Sequence, residues 1–182
     1  MDMNWLIAPF CEVSIIKTND FYDTIKVNEF IKNLETLNYN IKLIENNIDD
    51  KINSLLNKDA IDIELRIYIN ICGKKHSIIR IEWLSDEIIQ IDFCFSEEDV
   101  DKKVMKKLKQ LLNDLIIQYN GIVGMVGWET VCNMMFFKTK EAFPHKKYSI
   151  KNLIHYTNKD IYKNNEHWLN GVYEIIWSEK YK

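Results

Sequence analysis

The chain has 182 residues, with 24 lysine and arginine residues against 27 aspartate and glutamate residues and a formal net charge of -3. This length suits one domain with its own hydrophobic core, so we predict a single domain over residues 1–182. The charge excludes a generally basic nucleic-acid binder, and the 5 Gly and 2 Pro are too few for a disordered or linker-rich chain.

The chain begins with a predicted strand followed by a helix. Trp5 to Val13 is apolar, and Pro9 confines such a strand to a sheet edge or a bulge. Asn19 or Asp20 can cap the helix that follows. The predicted buried stripe of this helix consists of Val27, Phe30, Ile31, Leu34 and Leu37.

Two short elements are predicted next. Tyr39, Ile41 and Leu43 alternate with polar residues, which is typical of a short strand. The apolar residues between Ile48 and Leu56 recur at helical spacing and predict a small helix.

The clearest pattern is an alternation from Ile61 to Ile71, in which odd positions are aliphatic and even positions are polar or tyrosine. It is typical of a strand with one buried and one exposed face. The runs Ile78–Trp83 and Ile88–Phe95 keep the same parity, so we predict a three-stranded antiparallel meander. Turns near Gly73 and Asp86 give the predicted cross-strand pairs Tyr68 with Arg80, Arg66 with Glu82, Arg80 with Asp92, and Glu82 with Gln90.

A long helix is predicted from about Glu97 to Tyr119. Ser96 is the expected N-cap, and Gly121 occupies the C′ position that favours a left-handed backbone. The helix has an apolar stripe that suits the buried face of the meander. The stripe consists of Val100, Val104, Leu108, Leu111, Leu112, Leu115 and Tyr119.

The remaining third of the chain predicts further strands. They lie at Ile122–Val126 and Thr130–Phe137, and Asn170-Gly171 predicts either a hairpin turn or a helix that ends at Gly171. The predicted fold class is therefore α+β, a mainly antiparallel sheet with a central three-strand meander packed against two main helices.

The compartment is predicted from cysteine usage and hydropathy. Cys11, Cys72, Cys94 and Cys132 form no C-x-x-C pair and lack the dense spacing of a disulfide framework. No basic region precedes the first apolar stretch, and no apolar run is long enough to cross a bilayer. We therefore expect a cytoplasmic protein with reduced thiols and no membrane partner.

Known catalytic motifs are absent from the sequence. Gly121, Gly124 and Gly127 lie three residues apart, but a helix rather than a strand precedes them, which does not fit a dinucleotide fingerprint. We interpret Gly124 and Gly127 as a bulge or a close backbone contact. No P-loop and no Gly-x-Ser-x-Gly elbow occurs, so we expect neither an enzyme nor a cofactor.

One weak metal candidate follows from the predicted register. It places Cys72 opposite His76, with Cys94 diagonally near on the same face, and three soft ligands can hold a metal. The alternative is three unrelated residues near a turn. A fourth ligand is missing from this set, so we predict no metal.

The exposed face of the meander is the best candidate for function, because both arginines of the chain fall on it. Arginine and tyrosine are enriched at interface hot spots. The alternatives are a solvated face with cross-strand ion pairs and a face covered by the C-terminal segment. The predicted partner-binding residues are Glu64, Arg66, Tyr68, Arg80, Glu82 and Asp92.

Arg80 is expected to be the central residue of this face. Tyr68 and Asp92 flank it in the predicted register, so that its guanidinium is held before a partner docks. Arg80→Ala should then cost about 2 kcal/mol or more in binding, with a much smaller change in fold stability.

The chain is a compact, mildly acidic α+β domain with aromatic-rich termini and no catalytic motif. In this profile it resembles the small immunity proteins that bacteria make against polymorphic or contact-dependent toxins. The resemblance implies a stoichiometric inhibitor that blocks the active site of a cognate toxin, and it assigns no site residue.

Two other functions remain open. One is a small enzyme or ligand-binding domain with an aromatic pocket near the C-terminal segment, lined by Trp128, Trp168, Tyr173 and Trp177. The other is a phage-encoded inhibitor of a host protein, which shares the binding mechanism of an immunity protein.

Overall fold

The computed structural model describes residues 10–128, 149–151, 153 and 172–181. The strands in this part of the chain are β1 (Phe10–Thr18), β2 (Lys42–Leu43), β3 (Asp62–Asn70), β4 (Lys74–Trp83), β5 (Ile88–Ser96), β6 (Gly121–Trp128) and β7 (Val172–Trp177). The α-helices are α1 (Thr24–Glu35), α2 (Ile48–Leu56) and α3 (Lys102–Gln118). Short 3₁₀ turns occupy Glu97–Asp99 and Glu179–Tyr181.

Counted over these residues, seven strands form one antiparallel sheet in the order β2-β3-β4-β5-β1-β6-β7. Helix α3 packs on β1 and β6, and α2 packs on β3. The ring of Phe30 in α1 lies 4.7 Å from that of Tyr119, at the end of α3. The three helices therefore cover the same face of the sheet, which we call the inner face. The predicted α+β class is confirmed: α1 and α3 are the two main helices, and α2 is the small helix predicted between Ile48 and Leu56.

The central meander is confirmed. Strands β3, β4 and β5 pair in succession, and their odd-numbered apolar residues lie in the main hydrophobic core under the helices. Ile67 and Ile81 are both 0% exposed in that core, as the common parity requires. The alternation of apolar and polar residues in the sequence therefore predicts correctly which side chains of these strands face the core.

The predicted register between β3 and β4 is wrong by four residues. Tyr68 pairs with His76 and Arg66 with Ile78, so that Glu64 lies opposite Arg80. The turn is tighter than expected, because Cys72 and Gly73 both adopt positive φ, at 54° and 109°. A shift by an even number keeps every side chain on its predicted face. The register between β4 and β5 is as predicted, including Arg80 with Asp92.

Strand β1 lies in the interior of the sheet. It pairs with β5 on one side and with β6 on the other, so of the two predicted arrangements, an edge or a bulge, the edge position is wrong. Pro9 lies outside the described residues, and the strand begins at Phe10. Seven consecutive residues of β1 are buried, because hydrophobic clusters cover both faces of the sheet at this strand.

The caps of the helices differ from those predicted. Asp23, rather than Asn19 or Asp20, caps α1 through its side chain. Ser96 begins only the short 3₁₀ turn, and α3 starts later, at the N-cap Asp101. At the other end Asn120 takes the left-handed conformation with φ 51°. Gly121 is therefore the first residue of β6 and not a C′ glycine.

The N-cap of α3 gives a testable prediction. The Asp101 carboxylate accepts hydrogen bonds from the backbone N–H groups of Lys103 and Val104, each at 2.8 Å. We expect Asp101→Ala to lower the free energy of unfolding by about 1 kcal/mol, measured by urea denaturation. Asp101→Asn should lose much less, because its amide oxygen still caps the helix. Equal losses in both variants would contradict a capping role.

Gly124 and Gly127 of β6 have the structural roles predicted for them, a close backbone contact and a bulge. A Cβ atom at Gly124 would lie 2.6 Å from Leu112 of α3, so this glycine allows the helix to approach the sheet closely. Gly127 lies at a shift in the register between β6 and β7.

The predicted strand at Thr130–Phe137 and the turn at Asn170-Gly171 lie outside the described residues. No helix in the described ranges is long and apolar enough to span a bilayer.

Candidate functional site

The outer face of the sheet, opposite the helices, has a covered part and an open part. Over β1, β5 and β6 it carries a second hydrophobic cluster that contains the buried Leu153, and Tyr181 packs against this cluster. Over β3 the side chains of Asp62, Glu64 and Arg66 are exposed. C-terminal residues therefore cover one part of this face. We call the outer face of β3 and β4 the open face.

Arg80 lies at the centre of a polar cluster beneath the open face. Its Nε donates to Oδ2 of Asp92 at 3.1 Å, and Nη2 lies 3.0 Å from the same oxygen. Nη2 also lies 3.3 Å from Oε1 of Glu12. Asp92 is 0% exposed and Glu12 is 6% exposed, whereas the Arg80 side chain is 22% exposed. Carboxylates from β5 and β1 therefore hold the guanidinium and leave part of it accessible.

The charges of this cluster stabilise the protonated guanidinium. Burial alone lowers the pKa of Arg80, but the neighbouring charges of Asp92 and Glu12 outweigh it, and the net pKa lies above its ordinary value. Burial also raises the pKa of the Cys94 thiol, and the carboxylates of Asp92 and Glu12 raise it further. Cys94 is therefore a protonated thiol and a poor nucleophile.

Gln90 extends the cluster and leaves one polar atom without a partner. Its Nε2 donates to both carboxylate oxygens of Asp92, at 2.9 and 3.0 Å. Because a carboxylate only accepts hydrogen bonds, these contacts determine the orientation of the amide. In the described part of the chain, Oε1 of Gln90 is buried and accepts no hydrogen bond. Such an acceptor ordinarily costs about 1–3 kcal/mol.

Two carboxylates lie beside this amide. Glu82 pairs directly with Asp62 across β3 and β4, and with Gln90 across β4 and β5. Like charges on directly opposite residues repel each other. Burial raises the pKa of Glu82 and the charge of Asp92 raises it further, against an opposing effect of Arg80. We call Asp62, Glu82 and Gln90 the acceptor cluster.

The predicted binding residues are only partly brought together. Glu64 and Arg66 are exposed on β3, and Glu64 lies opposite Arg80. The prediction that Tyr68 flanks Arg80 is wrong, because the register is shifted. The ring of Tyr68 lies instead 4.8 Å from that of His76, and the Lys74 ammonium lies 3.5 Å from the Tyr68 ring centroid.

Asp92 has a different role from the one expected. It is fully buried, so it acts on a partner only by holding Arg80. The expectation that Arg80→Ala changes fold stability much less than binding is also inconsistent with this geometry, because the substitution leaves a buried carboxylate without its ion pair.

The weak metal candidate is not supported. Cys72 lies in the β3–β4 turn, His76 pairs with Tyr68, and Cys94 pairs with Ile78. Over the described residues, no group of three or more His, Cys, Asp or Glu side chains is placed to hold a metal ion. The tight turn is the physical reason, since it moves Cys72 away from the position opposite His76.

A cleft lies between the end of α3 and the C-terminal residues. Its volume is about 510 Å³, and Ile116, Trp177 and Tyr181 contribute to its lining. Of the aromatic residues predicted to line a pocket, Trp177 does so. Trp168 and the side chains of Trp128 and Tyr173 lie outside the described residues.

Sequence reasoning did not include Glu12 in the site. A signal was present, because Glu12 is flanked by the apolar residues Cys11 and Val13 in a run predicted to be a strand. Its even position placed it on the face opposite the core. Which strand it meets across the sheet was not contained in that local pattern.

Comparisons with known proteins give no relative. No family model, no curated protein and no solved structure matches this chain.

Proposed function

We propose that this protein is a stoichiometric protein-binding inhibitor of the immunity type, which neutralises a cognate toxin in the bacterial cytoplasm by blocking its active site. The open face is the proposed binding surface. The observation that carries the proposal is Arg80, held by Asp92 and Glu12 while partly accessible. A side chain fixed before binding loses less conformational entropy when a partner docks.

The charges around Arg80 indicate the kind of partner. Arg80 is already neutralised by the two carboxylates that hold it, while Asp62 and Glu64 are exposed beside it and Glu82 is half-buried. This part of the face presents net negative charge, which attracts a basic surface and accelerates association. A toxin with a basic active site, such as a nuclease, is the class of partner that fits best.

The test begins with capture of the partner from the native host on the tagged protein. The activity of the captured partner should then fall to zero at a molar ratio of one to one. We expect Arg66→Ala or Glu64→Ala to weaken binding about thirtyfold in calorimetry, which corresponds to a hot spot of about 2 kcal/mol. Arg66 and Glu64 suit this test because they are exposed.

Lys107→Ala is the matched control, because Lys107 is exposed on α3, on the helical side of the sheet. Its affinity should equal that of the wild type. Unchanged affinity in both Arg66→Ala and Glu64→Ala would exclude the open face. A partner that keeps its activity when saturated would exclude the inhibitor function.

A second candidate function is small-molecule binding in the cleft beside Trp177. Its volume of about 510 Å³ lies within the range of known ligand pockets. A thermal-shift screen of nucleotides and metabolites tests this function, because a specific ligand raises the melting temperature by mass action. A hit that Trp177→Ala abolishes would favour a ligand-binding domain over an inhibitor.

A further inference from the structure

The acceptor cluster combines three acceptors with no donor. Glu82 is half-buried, and neither its carboxylate nor that of Asp62 forms a hydrogen bond or an ion pair within the described ranges. Oε1 of Gln90 is buried without a donor as well. Gln90 and Asp62 lie opposite Glu82 on its two neighbouring strands, so all three lie on the same face of the sheet.

The neighbouring groups do not supply the missing donor. Arg80, the basic residue nearest in sequence on β4, directs its Nε and Nη2 to Asp92 and Glu12. The charged side chains that face Glu82 are Asp62 on β3, Arg80 on its own strand and Asp92 on β5, and the two carboxylates both repel its negative charge. The free protein therefore maintains an unfavourable arrangement at this point of its surface.

We infer that the acceptor cluster binds a cationic side chain of the partner, a lysine ammonium or an arginine guanidinium. The inference rests on the proposed function for the source of the cation. Several N–H donors on one positive group can serve both carboxylates together, and its charge also stabilises the unpaired Gln90 oxygen next to Glu82. Both Glu82 and Asp62 are attracted to the bound cation, and this attraction offsets the repulsion between them. The same arrangement therefore destabilises the free protein and stabilises the complex.

The site can be tested without the partner by using the peptide octa-arginine as a cationic probe. In ¹H–¹⁵N spectra of the full chain, the peptide should shift the Gln90 side-chain amide and the Glu82 backbone amide saturably. Glu82→Gln and Asp62→Asn should each weaken this binding about fivefold or more. Glu98→Gln is the matched control, because it removes one exposed negative charge outside the open face, and its affinity should equal that of the wild type.

Two outcomes would overturn the inference. One is equal affinity of octa-arginine for the wild type and for both acceptor-cluster variants. The other is a saturable shift of the same signals by Ca²⁺ alone that Glu82→Gln abolishes, which would assign the cluster to a metal ion. If Arg66→Ala weakens binding of the captured partner while Glu82→Gln leaves the affinity for octa-arginine unchanged, the inference fails and the proposed function stands. If octa-arginine responds to Glu82→Gln while the captured partner keeps its activity when saturated, the cationic site stands and the inhibitor function is excluded.

Stability provides an independent readout. At neutral pH, Glu82→Gln should raise the melting temperature of the free protein by about 1–3 °C. It removes the repulsion with Asp62 and offers an amide donor to Gln90. The folded-state pKa of Glu82 is raised, so the wild type gains stability as the pH falls through that pKa and the difference from the variant shrinks. A lower melting temperature of Glu82→Gln at neutral pH would instead indicate a purely structural carboxylate and overturn the inference.

Discussion

Arg80→Ala is expected to lower the free energy of unfolding by about 3–5 kcal/mol, the usual cost of removing one partner from a buried ion pair. Asp92 is 0% exposed, and it would lose the contacts from both Nε and Nη2. Gln90 would still donate to Asp92, but a neutral amide does not balance the charge. Urea denaturation followed by tryptophan fluorescence measures the loss.

Two further variants test whether the loss of stability comes from the ion pair between Arg80 and Asp92. Arg66→Ala removes the other arginine from an exposed position on β3 and should change stability by no more than about 0.5 kcal/mol. Combining Arg80→Ala with Asp92→Asn should recover part of the loss, because the buried charge is gone. Equal stability of Arg80→Ala and Arg66→Ala would contradict a buried ion pair at Asp92.

Gly124→Ala is expected to destabilise the protein by about 1–3 kcal/mol, because it overpacks the contact between α3 and the sheet. Its Cβ would lie 2.6 Å from Cδ1 of Leu112, 2.9 Å from Cδ1 of Ile116 and 3.0 Å from the carbonyl oxygen of Ser14. The leucine and isoleucine tips can rotate away. The Ser14 oxygen belongs to the backbone of β1, so relief there requires a shift of a whole strand.

A double-mutant cycle with Leu112→Ala tests this contact. Leu112→Ala removes the atom nearest to the added Cβ, so Gly124→Ala should cost less in that background than in the wild type. Thermal or urea unfolding of the four proteins gives the interaction energy. An identical cost in both backgrounds would show that the helix does not approach the sheet at Gly124.

The faces of the central strands could be predicted from sequence, whereas their alignment could only partly be predicted. In β3 the burial alternates residue by residue from Asp62 to Asn70, and the aliphatic pattern reports that period directly. The turn at Cys72 was not evident, because a non-glycine residue with positive φ has no strong sequence signal. Lys74 and His76 also lie in β4 without any apolar alternation to mark its beginning.

Only those contacts of the candidate site that join residues close in sequence could be predicted. Arg80 and Asp92 lie on adjacent strands joined by one short turn, so parity and turn position were sufficient to pair them. Glu12 was missed because three strands (β2, β3 and β4) and two helices separate β1 from β5 along the chain, although the two strands are neighbours in the sheet. The isolated amide oxygen of Gln90 depends on side-chain positions in three strands, which no local pattern contains.

The interior position of β1 has a consequence for the order of assembly. Its partners in β5 lie between 70 and 86 residues further along the chain, and its partners in β6 lie further still. During synthesis β1 therefore leaves the ribosome long before either neighbour exists, whereas β3, β4 and β5 can pair as soon as each is made. We therefore expect the meander to form early, and closure of the long loop from β1 to be the slow, entropically costly step that completes the sheet.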